Sequence, residues 1–219
     1  MEWRTTGPTA AISGILPGIQ AQGLWAGRRQ LFVRFAGEAE TATLFTPDML
    51  IRHVERGSSQ GGLHSVSLSG RDPLGSADLL QAVFKDWKPE LPVMADTDGQ
   101  RPEAIIALAG VLALVQVTLD LSEPGGAVDR AMSMVSAAAA AGCAHAVVLA
   151  PRDGTTDGQL LRLIEQTHAV SPGTKIVVHP PGAGSAPPDR RYAALMERAM
   201  AIHHDLRLAM RIPPPLGMR

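Results

Sequence analysis

The chain reads as an α/β protein built on a parallel sheet, and three observations predict this. Short apolar segments recur from Leu31 onward, with amphipathic or Ala-rich segments between them. The apolar segments are mostly continuous, as expected for strands covered on both faces. The length of 219 residues, with 45% hydrophobic and 19% charged, suits one α/β domain with a proper core. Helices joining parallel strands give right-handed βαβ units, arranged as a partial barrel or a doubly wound sheet. A single domain over residues 1–219 is expected, because the flexible stretches Gly57–Gly62 and Gly182–Pro188 are too short to separate domains.

Taken in order, residues 1–13 are polar and without periodicity, a loose or edge segment. Ile15–Gly27 carries Pro17 and several glycines among apolar residues, which excludes a regular helix and predicts an ordered loop. Leu31–Phe35 is a strand, and Glu38–Thr46 is a loop at its end. Pro47–Arg56 is a helix started by Pro47 and stopped by Gly57. Leu63–Leu68 is a strand, followed by the loop Ser69–Pro73. Ser76–Trp87 is an amphipathic helix with Leu79, Leu80, Val83 and Phe84 on one side. Strands follow at Pro92–Ala95, Leu114–Leu119, Ala144–Leu149, Lys175–Val178 and Leu206–Met210. Helices are expected at Pro102–Leu112, Val128–Ala141, Thr156–Ala169 and Asp189–His203.

Composition removes several functions. The net charge of −1 and 4% aromatic residues give no basic stripe and few stacking side chains, so no nucleic-acid partner is expected. The single cysteine, Cys143, excludes an intramolecular disulfide, Cys-rich zinc sites and a self-contained three-cysteine iron–sulfur site. The N-terminal residues have no apolar core of a signal peptide. Ala104–Leu119 is shorter than the roughly 20 residues a membrane span needs, and Met134–Pro151 is broken by Gly142 and contains His145. Both read as a helix running into a strand. No membrane partner and a cytoplasmic location are expected.

In α/β proteins the C-terminal strand ends carry the chemistry. Those ends hold Arg34 and Glu38, then Ser69, Gly70, Arg71 and Asp72, then Asp96 with Asp98, Asp120, and His179. The competing reading for the acids is local: Asp after a strand caps the next helix or closes a turn. For Arg34 it is a salt bridge near the strand end. No Gly-x-Gly-x-x-Gly, P-loop, His-Glu-x-x-His or Gly-x-Ser-x-Gly motif is present. His203 and His204 are placed on a helix end, where the dipole favours them. His64 and His145 begin strands and read as structural, Cys143 as an inert buried thiol, and Trp25 as packing.

Several motifs then line up in order. They are Pro17-Gly18-Ile19-Gln20-Ala21-Gln22-Gly23, Trp25-Ala26-Gly27, Phe32-Val33-Arg34-Phe35-Ala36-Gly37, Ser69-Gly70-Arg71-Asp72-Pro73-Leu74, Asp96-Thr97-Asp98-Gly99, Leu119-Asp120, His179-Pro180 and Leu216-Gly217. Together they resemble the signature of the 7-carboxy-7-deazaguanine synthases, which are small radical S-adenosylmethionine (SAM) enzymes. The resemblance covers nearly the whole chain. It implies a partial (β/α) barrel of the radical SAM type. It implies substrate-binding roles for Gln20, Gln22 and Arg34, and SAM-binding roles for Ser69, Gly70, Asp72, Asp98 and His179. It also places Thr46 at the threonine beside the family's Mg2+ and implies a homodimer.

The departures are systematic. The family's three cluster cysteines match Glu38, Ala42 and Phe45, none of which can replace a thiolate on iron. Gly-Gly-Glu-Pro has become Gly70-Arg71-Asp72-Pro73, with a bulky cation where a glycine lets a ligand approach. The family's first glutamate is Gln22. Its lysine after Asp120 is Leu121 or Ser122, and its Gln-Thr-His-Lys is Arg211-Ile212-Pro213-Pro214. The expectation is a degenerate relative with no [4Fe-4S] cluster, no dependable SAM site and no catalytic residue assigned. It would act as a pseudoenzyme, as a subunit paired with itself or with an intact paralogue, or as a small-molecule-binding protein. Two other readings stand beside it. One is a non-radical enzyme using Asp96, Asp98, Asp120 and His179 around a divalent metal such as Mg2+. The other is retained synthase activity with ligands from a partner chain.

Overall fold

A computed structural model describes residues 7–121, 126–181 and 190–212. One nine-stranded sheet runs through them in the order β3-β1-β2-β4-β5-β6-β7-β8-β9. β1 (Ala10–Ile19) pairs antiparallel with β2 (Arg29–Phe35) and with the short β3 (Thr43–Phe45). β4 (Ser65–Gly70), β5 (Val93–Thr97), β6 (Leu112–Asp120), β7 (His145–Ala150), β8 (Lys175–Val178) and β9 (Leu206–Leu208) continue from β2, all parallel. The helices are α1 (Pro47–Ser58), α2 (Ala77–Asp86), α3 (Ala104–Leu108), α4 (Ala127–Ala140), α5 (Asp157–Val170) and α6 (Arg190–Met200).

Apart from β3, which lies on the far side of β1, the strand order from β2 to β9 follows the sequence, so right-handed crossovers put the helices between the parallel strands on one face. A doubly wound sheet reverses its strand order at a switch point, and this one does not. The sheet is open, since β3 and β9 each have one neighbour, and its order is that of a partial barrel.

The two faces differ chemically. On the helix side, Leu31, Val33 and Phe35 of β2, Val66 and Leu68 of β4, Val115, Val117 and Leu119 of β6 and Val147 and Leu149 of β7 join the helices in the main core. Each buried side chain of this kind contributes roughly 1.5–3 kcal/mol. On the inner face only Met94, Leu114 and Ala146 form an apolar cluster, covered by Leu24 and Trp25. Phe32, Val148 and Val177 alternate with the helix-side residues and are buried on this face too, and polar residues lie among them: Gln30 lies opposite Ser65, Arg34 opposite Ser69, and Asp96 opposite Gln116. The expectation of strands apolar on both faces therefore fails for β4 and β6. Ser65-Val66-Ser67-Leu68-Ser69 alternates with period two, the signature of a half-polar strand.

The N-terminal expectations need correction as well. Ala10–Ile19 is a strand, not a loose segment followed by a loop. Pro17 and the glycines are tolerated because β3 covers β1 only at Ala10, Ala11 and Ile12. Beyond that point β1 is an edge, with a bulge between Ile12 and Gly14. Gly57 does not stop α1, which runs on to Ser58. A Cβ at Gly57 would lie 2.8 Å from both Leu31 methyl groups, so the glycine lets α1 settle onto β2. His203 lies beyond α6, which ends at Met200, and is fully buried rather than at an exposed helix end. No helix among the described residues is long and apolar enough to cross a membrane. Residues 1–6, Ser122, the 182–189 stretch, Pro213, Pro214 and Leu216-Gly217 lie outside the described residues.

Candidate functional site

The site grows from the connection between β1 and β2. After Ile19 the chain turns across the inner face through Gln20, Gln22, Gly23 and Leu24 and returns at Arg29. The turn is closed by backbone bonds, Gln20 N to Arg28 O and Gly27 N to Gln20 O, both 2.9 Å. Gly23 has φ +81°, a left-handed conformation that costs a side-chain-bearing residue roughly 1–2 kcal/mol. A Cβ there would fall 1.9 Å from Gln116 Oε1. Only glycine fits.

This turn makes four contacts with the strands behind it. Gln20 Nε2 donates to Asp96 Oδ2 at 3.2 Å, and Gln22 Nε2 to Thr118 Oγ1 at 3.2 Å. Gly23 N donates to His179 Nε2 at 2.9 Å, and Leu24 N to Gln116 Oε1 at 3.0 Å. Gln116 Nε2 and Thr118 Oγ1 also donate to Asp96 Oδ1, at 3.2 and 3.4 Å. Asp96 is the hub, accepting from three side chains on β6 and the turn.

Burial pushes the Asp96 carboxyl above the usual carboxylate range, while hydrogen bonds from Gln116, Gln20 and Thr118 and the nearby Arg211 pull the other way. His179 is lowered to about 4, chiefly by burial, with Arg211 adding to the effect and the Ala209 backbone opposing it. A neutral ring fits the geometry, because Nε2 must accept from Gly23 N. The Ala209 contact does not reach hydrogen-bond geometry, so the buried Nδ1 has no partner among the described residues. Beside this ring lies a pocket of about 350 Å³ bordered by Gln22, Thr118, Asp120, Arg152, His179 and Arg211. A pocket of about 500 Å³ between α4 and α5 shares Arg152 with it, but no residue of the Asp96 network lines that one.

The other expected residues have varied fates. Arg34, on the inner face opposite Ser69, makes no side-chain hydrogen bond or ion pair among the described residues, so the competing salt-bridge reading finds no partner there. Gly70 has φ +97°, and a Cβ there would meet Phe35 O at 2.2 Å, so the glycine serves the β2–β4 contact. Asp72 accepts from Gly75 N at 3.0 Å, capping a turn of 3₁₀ helix, and pairs with Arg101 at 3.3 Å. Asp98 binds the backbone and side-chain nitrogens of Gln100, at 3.3 and 2.9 Å. Asp120 pairs with Arg152. Thr46 is the N-cap of α1.

The acids expected to share a divalent metal therefore do not converge, because each is engaged by a different neighbour. Among the described residues no group of three or more His, Cys, Asp or Glu is arranged to hold a metal ion. The positions matched to cluster ligands differ in surroundings. Glu38 and Ala42 are exposed. Phe45 is buried in β3 on the helix-side core, its ring 5.0 Å from that of His53. Cys143 is buried just before β7, at the end of the sheet opposite Asp96 and His179, and burial raises its thiol.

Sequence reasoning missed Gln116, Thr118, Gln30, Ser65 and Ser67. The signal was available in two places: the alternation of β4, and the polar Gln116 and Thr118 inside an otherwise apolar run.

The chain is similar to a known synthase. A protein of Methanothermobacter thermautotrophicus (strain Delta H) described as 7-carboxy-7-deazaguanine synthase is 26% identical over 158 residues. The match covers 58% of this chain and 63% of the relative, so it spans less than two thirds of the relative's length. No protein-family model matches the chain.

Proposed function

We propose that this chain is a radical SAM-like protein, related to 7-carboxy-7-deazaguanine synthase, that binds a small molecule on its inner face and performs no cluster-dependent chemistry. The observation that carries the binding half is the pocket bordered by His179, Gln22, Thr118 and the Arg211 cation, on the same face of the sheet as Arg34, which lies outside that pocket and has no side-chain partner among the described residues. A cation and several orienting dipoles on one apolar-floored face suit a planar, polar, anionic ligand.

The cluster half rests on a poor fit between residues and cofactor. A cluster that leaves one iron open to SAM needs three thiolates. The matched positions supply a carboxylate, a methyl group and a phenyl ring, and the one thiol of the chain is buried at the far end of the sheet. The cofactor does not fit these residues. Arg71, next to Gly70, is exposed beside Gly37 and narrows the approach expected of a SAM methionine group. The metal-dependent reading draws no support from acids that are separately engaged. If the ancestral reaction is served at all, it is through a second chain with intact cysteines, as a heteromer; a homodimer is the other assembly in keeping with the resemblance.

A thermal-shift screen with SAM, pterins and deazapurines tests the binding half. At least one of them is expected to raise the melting temperature of the chain, and Arg34→Met is expected to abolish the shift. A shift that survives Arg34→Met, or no shift from any of these compounds, contradicts it.

A further inference from the structure

We infer that His168 and His203 form a two-histidine site for a borderline divalent ion such as Zn2+, Ni2+ or Cu2+, at the end of the sheet opposite the inner-face network. His203 follows α6 and precedes β9, and Thr174 precedes β8, so the pair sits at the N-terminal strand ends. His168 comes from the last turn of α5.

In the ion-free protein the two rings are joined by a hydrogen bond. The Nδ1 atoms of His168 and His203 face each other at 3.1 Å, with ring planes at 82°. Two imidazole nitrogens on one tetrahedral ion, each at about 2.0–2.1 Å, stand about 3.3 Å apart. The two nitrogens stand near that separation, but they point along the line that joins them, so the half-buried His168 ring must swing aside for both lone pairs to reach one ion while His203 stays held. His203 is fully buried, and its Nε2 donates to the Thr174 carbonyl at 2.6 Å. That bond fixes the tautomer and leaves the Nδ1 lone pair directed at His168. Metal-binding histidines are commonly oriented by such a carbonyl.

Without metal, His168 must hold its proton on Nδ1 to donate to His203. Binding moves that proton to Nε2, and both Nδ1 lone pairs then face the ion. Burial lowers the His203 ring from the ordinary histidine value, opposed by the Thr174 carbonyl and Asp205 and helped by His168 and His204. Asp205 is held by Lys175 at 2.6 Å and Arg207 at 3.7 Å, so it adds negative potential without serving as a ligand. Imidazole nitrogen suits zinc, nickel and copper better than magnesium or calcium. The half-buried His168 edge leaves the remaining positions to water.

The test is calorimetric titration of the full chain with ZnCl2, beside long-range nitrogen NMR of the histidine rings. One ion per chain is expected, with the Nδ1 resonances of both residues moving. His168→Ala, checked for folding by circular dichroism, is expected to weaken binding by at least about 10-fold. His204→Ala is expected to leave it unchanged. Absence of saturable binding at millimolar metal, wild-type affinity in a folded His168→Ala, or loss of binding in His204→Ala overturns the inference.

Discussion

The main-chain N–H of Gly23 donates to Nε2 of His179 at 2.9 Å, across 156 positions of sequence. This bond joins the first antiparallel turn to the end of β8 and fixes the neutral form of a buried histidine. Around it the turn also meets Asp96, Gln116 and Thr118. The inner face is thus held by one turn that contributes both backbone and side-chain donors.

Gly23→Ala tests that arrangement. The added methyl needs the space of the Gln116 amide, and a left-handed alanine is itself strained. Together with lost bonds to Gln116 and His179, the cost is expected to be about 2–5 kcal/mol. Urea unfolding measures it. A loss under about 1 kcal/mol would mean that the turn is not held in this way.

His179 makes stability depend on pH. Its native ring titrates at about 4, against 6.5 for an ordinary histidine. Between those values the unfolded chain takes up a proton that the native chain refuses. The stabilisation is complete above pH 6.5 and disappears as pH falls toward 4, on the order of 3 kcal/mol in all. His179→Gln keeps an acceptor for Gly23 and is expected to flatten this part of the curve, followed by chemical denaturation at several pH values.

Asp96 acts with the opposite sign. Its native carboxyl is raised, so its charge is a cost that is absent below 3.8, grows as pH rises past that value, and is complete above its native value. Asp96→Asn retains an acceptor for Gln116 and Thr118 if the Gln20 amide turns over. The variant is expected to be more stable than wild type at neutral pH, with the advantage vanishing in acid. Equal pH profiles for the two proteins would contradict this assignment.

Much of this was readable from sequence, and the parts that were not have physical causes. The alternation from β2 to β9 was legible because the helix-side residues, such as Val115, Val117 and Leu119, are apolar throughout. β1 was hidden because Pro17 and its glycines deter a strand reading, and only an edge position makes them acceptable. β3 was hidden because three residues carry no periodicity. Gly57 looked like a helix stop because its role is set by Leu31, a residue of another element. At the site, Gln20, Gln22 and His179 were named in advance, and their bonds run to Asp96, Thr118 and Gly23 in turn. Asp72 and Asp98 were also named, and they are engaged as caps and turns, as their position after a strand allows. Gln116 and Thr118 escaped notice because a polar residue inside an apolar run gains meaning only when its partner is known.

Arg34 is predicted to matter for binding and not for folding. It has no partner to lose among the described residues, so Arg34→Met is expected to change stability by less than about 0.5 kcal/mol. A larger loss on denaturant unfolding would point to a structural role.

The central claim is that the inner face serves binding and not radical chemistry. Iron and sulfide analysis after anaerobic reconstitution of the purified chain tests it most directly. Only trace iron and sulfide are expected, with no charge-transfer absorption of a cluster. A full cluster's worth of both per chain would contradict the account.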